Sequence, residues 1–174
     1  MDRDGASTIT RSEDAFGSRL MTRGGFLLNN ELTDFSFVPE SDGKPVANRV
    51  EGGKRPRSSM APMMVYDARG QLYMLVGSPG CSAIIYYVAK TLIGVLDWEL
   101  DVQAAIDLPN VGSRNGPTEL EVGTTAEALV PALRALGHDT YVGEQNSGLH
   151  AIVRTRNGWP GGADPRREGI ARGE

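Results

Sequence analysis

The segment from residue 63 to residue 97 constrains the fold of this chain most strongly. Residues 63–66 and 72–76 are rich in β-prone side chains, and the polar residues 67–70 separate them, so the segment begins with a predicted β-hairpin. After a glycine turn, residues 82–97 carry apolar side chains at helical spacing on nearly every face, which predicts a buried helix. A hairpin followed by a buried helix is typical of a layered sheet-and-helix domain.

Weaker patterns predict the remaining elements. Residues 41–54 are rich in polar turn formers and predict a loop, and the tail from Gly158 is rich in Gly, Pro and Arg. Thr124 and Glu127 form a capping-box pattern for a helix that reaches Gly137, and Pro131 must either kink this helix or lie near its start. A shorter helix is predicted at residues 102–108, and strands are predicted at residues 6–10, 26–28, 140–142 and 149–153.

Composition limits the classes of function. The 174 residues suit one domain or half of a larger one, and a net charge of −4 gives no broad electrostatic reason to bind nucleic acid. Cys81 is the one cysteine, which excludes an internal disulfide and a cysteine-based zinc site, and the two histidines are too few to suggest a metal cofactor. The apolar residues 83–95 include Lys90 and fall short of the about 20 that span a bilayer, so we expect no membrane segment.

Three polar groups stand out in order along the chain. Glu31 and Asp34 follow an apolar run and lie three residues apart, Ser58 and Ser59 follow a short basic segment, and Gly80 opens the predicted buried helix. Carboxylates accept hydrogen bonds from an ammonium, hydroxyls donate to a carboxylate, and N–H groups at a helix start can hold an oxyanion. The series therefore suits a small zwitterion resembling an amino acid.

The motifs LLNNELTDFS, KRPRSSMAP and GSPGCS carry a resemblance. The chain resembles the small, C-terminal subunit of the gamma-glutamyltranspeptidases, or glutathione hydrolases, which are N-terminal-nucleophile amidohydrolases. The resemblance runs from about residue 2 to residue 166 and implies an α+β fold that is part of a four-layered αββα sandwich. Residues 1–174 would then be a partial small-subunit domain, and a large subunit would be its partner.

The resemblance also implies roles for individual residues. Each polar group alone would more often be a solvated acid, a turn hydroxyl or a helix-start glycine, but their occurrence in the family's order favours a site. Glu13 falls on a substrate-contact position. By the same resemblance, Glu31 and Asp34 bind the glutamyl α-ammonium, and Ser58 and Ser59 bind its α-carboxylate. The backbone N–H groups of Gly80 and Cys81 form the oxyanion hole.

Three departures from the family pattern accompany this resemblance. Cys81 replaces the second glycine of the usual pair, so we expect strain or a shifted turn if the position needs a positive φ. Arg11 stands where the family has a threonine that supports the nucleophile, unless Thr10 takes that role. The family's catalytic threonine lies in a Thr-Thr-His-x-Ser segment upstream of Asp2, and the sequence starts at Met1 without it, so we expect these 174 residues to be inactive alone.

The implied activity is transfer or hydrolysis of a gamma-glutamyl group, for example from glutathione, to water or to an amino-acid or peptide acceptor. Two alternatives stay open: a non-catalytic remnant of the family, and a piece of a related cephalosporin-acylase-like amidase. No cofactor is implied. Bacterial relatives are exported, so a periplasmic or extracellular location is expected, although the chain carries no signal for it.

Overall fold

The computed structural model describes residues 16–173, which fall into two compact units, residues 16–59 and residues 60–173. The strand predicted at residues 6–10 lies outside the described residues, as do Glu13 and Arg11. In the first unit, one turn of 3₁₀ helix spans Glu31–Asp34, and the strands β1 (Glu40–Ser41) and β2 (Lys44–Pro45) pair as a hairpin.

The first unit departs from two predictions. The residues of the β1–β2 turn, Asp42 and Gly43, have φ of 53° and 70°, which suits a two-residue hairpin, so the first part of the segment predicted as a loop is a short β-hairpin. The prediction of a strand at residues 26–28 is wrong. Among the described residues this run makes one isolated antiparallel bridge, between Met21 and Leu27, and hydrogen bonds to residues 18–22, but it forms no strand.

The second unit contains two sheets and three α-helices. The predicted hairpin and main helix are confirmed within two residues. The helix predicted from Thr124 begins as a 3₁₀ turn (Thr125–Leu129) and continues as an α-helix (Val130–Ala135) with Pro131 in its first turn. In chain order the elements are β3 (Met63–Tyr66), β4 (Leu72–Gly77), α1 (Ile84–Leu96), α2 (Val102–Asp107), β5 (Val111–Gly112), β6 (Thr118–Glu121), α3 (Val130–Ala135), β7 (Thr140–Gly143), β8 (His150–Val153) and β9 (Gly161–Ala163).

The larger sheet has the order β3-β4-β8-β9 and is antiparallel throughout, and the smaller one has the order β5-β6-β7. Alternate residues of β4 and β8 bury their side chains in a core shared with α1 and α2. On α1, Ile85 and Leu96 are 60% and 45% exposed, so the predicted burial of this helix is confirmed for one face and not for the other. The described residues cover only one side of this helix.

Local hydrogen bonds set the ends of the elements. Asp67 accepts from the N–H groups of Arg69 and Gln71, both at 2.9 Å, which fixes the turn between β3 and β4. Thr124 and Glu127 do cap a helix, but the donors are Ala126 N–H and Gly123 N–H, one position away from those of a capping box.

A buried ionic network holds the C-terminal part of the chain against α2. Arg166 pairs with Glu121 and Asp164 and donates to the carbonyl of Leu108 at 3.0 Å. Asp164, which is 1% exposed, also accepts from Ser147 Oγ at 2.6 Å. Buried charges need such complete pairing to be tolerated. The network joins the segment after β9 to β6 and to the end of α2.

Candidate substrate-binding site

The acidic pair lies on one helical turn. Glu31 and Asp34 are the first and last residues of the 3₁₀ helix, and residues three apart in such a helix lie on the same side. The turn begins where Asn29 Oδ1 accepts from Glu31 N–H at 2.9 Å, and Thr33 Oγ1 donates to the carbonyl of Asn30 at 2.9 Å. Both acids are half-buried residues.

Asn48 links this turn to the serine segment. Its Nδ2 donates to the carbonyl oxygen of Asp34 at 2.6 Å, and its Oδ1 accepts from the backbone N–H of Arg57 at 3.1 Å. Its own carbonyl accepts from Ser36 N–H at 2.8 Å. Asn48 was not predicted from the sequence, because its only signal there is a polar amide between two motifs, and such residues are common in loops.

The serine pair lies in an irregular segment that directly follows Arg57. Ser58 is exposed and Ser59 is half-buried. Upstream, Glu51 pairs with Arg49 at 2.8 Å and with Lys54 at 2.6 Å, and the hydrogen bond from Lys54, followed by the charge of Arg49, lowers the pKa of the Glu51 carboxyl. Two basic side chains that precede the serines in the sequence are thus paired with an acid.

The glycine turn after β4 has a geometry that excludes most side chains. Gly80 has φ of 135°, and a Cβ there would lie 2.6 Å from Cε2 of Tyr87. Cys81 has φ of 53°, the left-handed region that costs a non-glycine residue about 1 kcal/mol or more. The strain expected from a cysteine at this position is therefore present in the turn. The cysteine is exposed.

The backbone N–H groups of this turn are available to a ligand. Neither Gly80 nor Cys81 donates its N–H to another of the described residues, whereas the Gly80 carbonyl accepts from Ala83 N–H at 3.1 Å. The 3₁₀ turn Cys81–Ala83 leads directly into α1, which is 13 residues long. The start of a helix favours negative charge because its N–H groups and its dipole point toward it. The turn can therefore stabilise an oxyanion.

Side chains hold the turn on two sides. Tyr87, whose ring lies under Gly80, donates its hydroxyl to Gln145 Oε1 at 2.9 Å. On the other side, Arg114 donates to Ser82 Oγ at 2.9 Å and pairs with Glu119 at 2.7 Å. Burial alone would raise the pKa of Glu119, but hydrogen bonds from Arg114 and Gln145 outweigh it and lower the pKa. The turn is thereby tied to β6 and to the loop after β7.

The predicted site residues divide between the two units. The acidic pair and the serine pair lie in residues 16–59, where Asn48 links their segments, and the glycine turn lies in residues 60–173. Within residues 16–173, no group of three or more His, Cys, Asp or Glu side chains could hold a metal ion. In the same range, no helix has the length and apolar character needed to cross a membrane.

Comparison with known proteins decides the family. The gamma-glutamyltranspeptidase sequence profile matches residues 1–173. The chain belongs to the gamma-glutamyltranspeptidase family. It is 32% identical over 195 residues to a glutathione hydrolase proenzyme of Pseudomonas sp. (strain A14), an alignment that covers 99% of this chain and 34% of that protein.

Solved structures of gamma-glutamyltranspeptidases confirm the fold. A Helicobacter pylori gamma-glutamyltranspeptidase, the T380A mutant, superimposes with a TM-score of 0.82 at 29% identity and covers 93% of both chains. The fold is therefore α+β and of the N-terminal-nucleophile hydrolase type. A cephalosporin acylase from Bacillus halodurans is more distant, with a TM-score of 0.75 at 25% identity over 89% of this chain and 29% of that one.

The length of these relatives matters for function. The chain spans 34% and 28% of two curated glutathione hydrolase proenzymes, from Pseudomonas and from Bacillus subtilis. It spans 93% of the chain of the Helicobacter pylori enzyme. The chain therefore corresponds to about a third of the length of these curated relatives.

Proposed function

We propose that the chain supplies the gamma-glutamyl-binding groups and the oxyanion hole of a glutathione hydrolase or gamma-glutamyltransferase. Glu31 and Asp34 bind the α-ammonium of the glutamyl group, Ser58 and Ser59 bind its α-carboxylate, and the N–H groups of Gly80 and Cys81 bind the developing oxyanion. Glu13 contacts the substrate as well. The observation that carries this proposal is the turn at Gly80, where the N–H groups of Gly80 and Cys81 donate to no other described residue and lie at the start of a helix in a member of this family.

The chemistry assigns separate tasks to this chain and to its partners. A threonine at the start of a preceding segment attacks the gamma-amide carbonyl, its free amine takes the hydroxyl proton, and the carbonyl electrons move to oxygen. The oxyanion collapses, the C–N bond breaks, and the departing amine leaves with a proton. Water then releases glutamate from the acyl-enzyme, or an amino-acid or peptide acceptor takes the glutamyl group. This chain orients the acyl group and stabilises the oxyanion.

Exposed apolar side chains support a large-subunit partner. In the first unit Phe37, Leu32 and Phe16 are 83%, 73% and 70% exposed. In the second unit the outward face of α1 exposes Ile85 and Leu96. Scattered apolar residues on a surface are normal, but large side chains this exposed on both units favour coverage by another chain.

Assembly with a threonine segment and a large subunit tests the proposal. The chain is joined to a Thr-Thr-His-x-Ser segment and to the large subunit of a family member, and amine release from a gamma-glutamyl anilide is measured. We expect turnover in the wild type and a higher KM in Ser58→Ala and Ser59→Ala. A protein that matures but leaves this anilide intact would support the alternative of a non-catalytic remnant, which the strained Cys81 turn favours.

The second candidate is a cephalosporin-acylase-like amidase, favoured by the likeness to the Bacillus halodurans enzyme. Both candidates share the nucleophile class and the oxyanion turn, so they differ in the acyl group. A preference for an acyl group without the α-ammonium would support the amidase, because Glu31 and Asp34 would then have no cation to bind.

A further inference from the structure

We infer that Asn48 is a positioning residue that sets the spacing between the groups that bind the two charges of the glutamyl head. This inference rests on the proposed function, which gives the acidic pair and the serine pair their ligands. It goes beyond it by assigning a role in specificity to a residue that contacts neither charge. Asn48 lies outside both motifs, 14 residues from Asp34 and 9 residues from Arg57.

The geometry of the link carries the inference. The planar side-chain amide of Asn48 binds Asp34 through its nitrogen at 2.6 Å and Arg57 through its oxygen at 3.1 Å. Both partners are backbone atoms, so the amide fixes the main chain of the two segments whatever their side chains do. The hydrogen bond from Ser36 N–H to the Asn48 carbonyl, at 2.8 Å, anchors the residue itself. Ser58 follows Arg57 directly, so the amide joins the acidic turn to the serine pair.

The chemistry of the substrate explains why this spacing matters. The α-ammonium and the α-carboxylate are bonded to one carbon, so a site can bind both at full strength only if its two subsites are held at a matching distance. When the two subsites have the right spacing, binding of one charge strengthens binding of the other, because the second contact forms within a substrate molecule that is already bound. If the link is lost, each charge can still be bound singly, but the mutual reinforcement falls.

Four anilides measure that reinforcement in the assembled enzyme. The gamma-glutamyl anilide carries both charges, the glutaryl anilide lacks the ammonium, the 4-aminobutyryl anilide lacks the carboxylate, and the butyryl anilide lacks both. The kcat/KM values of the gamma-glutamyl and butyryl anilides are multiplied, and the result is divided by the product of the kcat/KM values of the glutaryl and 4-aminobutyryl anilides. This ratio is the coupling between the two charges. Because all four share the reacting amide, a general loss of activity cancels in this ratio.

We expect Asn48→Ala to lower this coupling about ten-fold, in keeping with the loss of two hydrogen bonds. Asn48→Gln keeps the amide but is longer by one methylene, so it should lower the coupling as well. This variant tests the inference if the alanine variant does not assemble. Asn157→Ala, an exposed asparagine of the second unit, is the matched control and should leave the coupling unchanged.

The outcomes separate this inference from the proposed function. If the Asn48 variants lower kcat/KM for all four anilides in the same proportion, Asn48 has only a general structural role and the inference is wrong. An unchanged coupling in an active Asn48 variant contradicts it equally. A wild-type assembly that matures but turns over none of the four anilides contradicts the proposed function, and the inference falls with it.

Discussion

Tyr87 and Gly80 are in direct contact: a Cβ placed on Gly80 would lie 2.6 Å from the Tyr87 ring. The same side chain is 3% exposed and donates its hydroxyl to Gln145, so moving the ring would break this hydrogen bond or disturb the core. The turn that presents the Gly80 N–H is therefore shaped by a core side chain seven residues further along the chain.

This contact predicts that Gly80→Ala is strongly destabilising. The alanine would combine an unfavourable φ of 135° with a clash against the Tyr87 ring, and we expect the free energy of unfolding to fall by about 2–4 kcal/mol. Denaturant unfolding measures it. Gly158→Ala is the matched control, because Gly158 has φ of 130° but nothing within 4 Å of a Cβ; it should cost about 1 kcal/mol. Equal losses in the two variants would mean that Tyr87 does not shape the turn.

Cys81→Gly should relieve the strain in the same turn. Glycine accepts a φ of 53° without penalty but loses more entropy on folding, so we expect stability to rise by about 0–1 kcal/mol. The N–H donor is retained, so turnover of the assembled enzyme should stay the same or increase. Glu99→Gly, at φ of 55°, is a control for strain relief away from the turn. A fall in turnover for Cys81→Gly alone would show that the thiol has a role of its own.

Asp34→Ala should mainly weaken binding of the substrate. An ammonium that loses a charge-assisted hydrogen bond loses roughly 1.5–3 kcal/mol, so kcat/KM for a gamma-glutamyl anilide should fall by about one to two powers of ten, chiefly through KM. The glutaryl anilide, which has no ammonium, should be little affected. Asp139→Ala removes an exposed carboxylate elsewhere and should leave both values unchanged. Equal losses on the two anilides would argue against contact between Asp34 and the ammonium.

Lys90 makes stability depend on pH. Burial, helped by the charge of Arg166, lowers its pKa from 10.5 to about 8. The folded state therefore disfavours the protonated amine, and between these two pH values the unfolded chain binds more protons. Stability contributed by this group should rise from pH 8 to pH 10.5. The neutral amine still has two N–H donors for the carbonyls of Ile106 and Leu108.

Comparison with Lys90→Met isolates this effect. The difference in free energy of unfolding, wild type minus variant, should increase over this range of pH, while contributions from other titrating groups cancel. Urea unfolding of both proteins at several pH values provides the measurement. A flat difference would mean that Lys90 keeps its ordinary pKa in the folded protein.

The elements with strong local patterns could be predicted from the sequence. Apolar spacing gave α1, and the turn chemistry of Asp67 gave the β3–β4 hairpin. Strand β9 was missed because its sequence, Gly161–Ala163, is typical of a turn. It is a strand because it pairs antiparallel with β8, and its Gly162 lies so close to α2 that a Cβ would be 2.7 Å from Ile106. The contact of Gly162 with Ile106 joins residues 56 positions apart, so no local sequence pattern predicts it.

In the candidate site, too, some residues could be predicted from the sequence and others could not. Its motifs are contiguous in sequence, so Glu31, Asp34, Ser58, Ser59, Gly80 and Cys81 could be chosen beforehand, and their roles stay predictions. The supports could not be chosen, because they act across the fold: Asn48 bonds to backbone atoms in two distant segments, and Arg114 reaches Ser82 from the loop before β6. Hydrogen bonds between distant segments leave no period or spacing in a single sequence.

The most direct test of the central claim is release of glutamate from glutathione. The chain assembled with a family large subunit and the Thr-Thr-His-x-Ser segment should mature and release glutamate, whereas residues 1–174 alone should release none, because they contain no N-terminal threonine. Glutamate is measured by mass spectrometry, and Asp34→Ala in the same assembly is the internal check. An assembly that matures without releasing glutamate, or release by residues 1–174 alone, would contradict the claim that this chain binds and orients a gamma-glutamyl group for an external nucleophile.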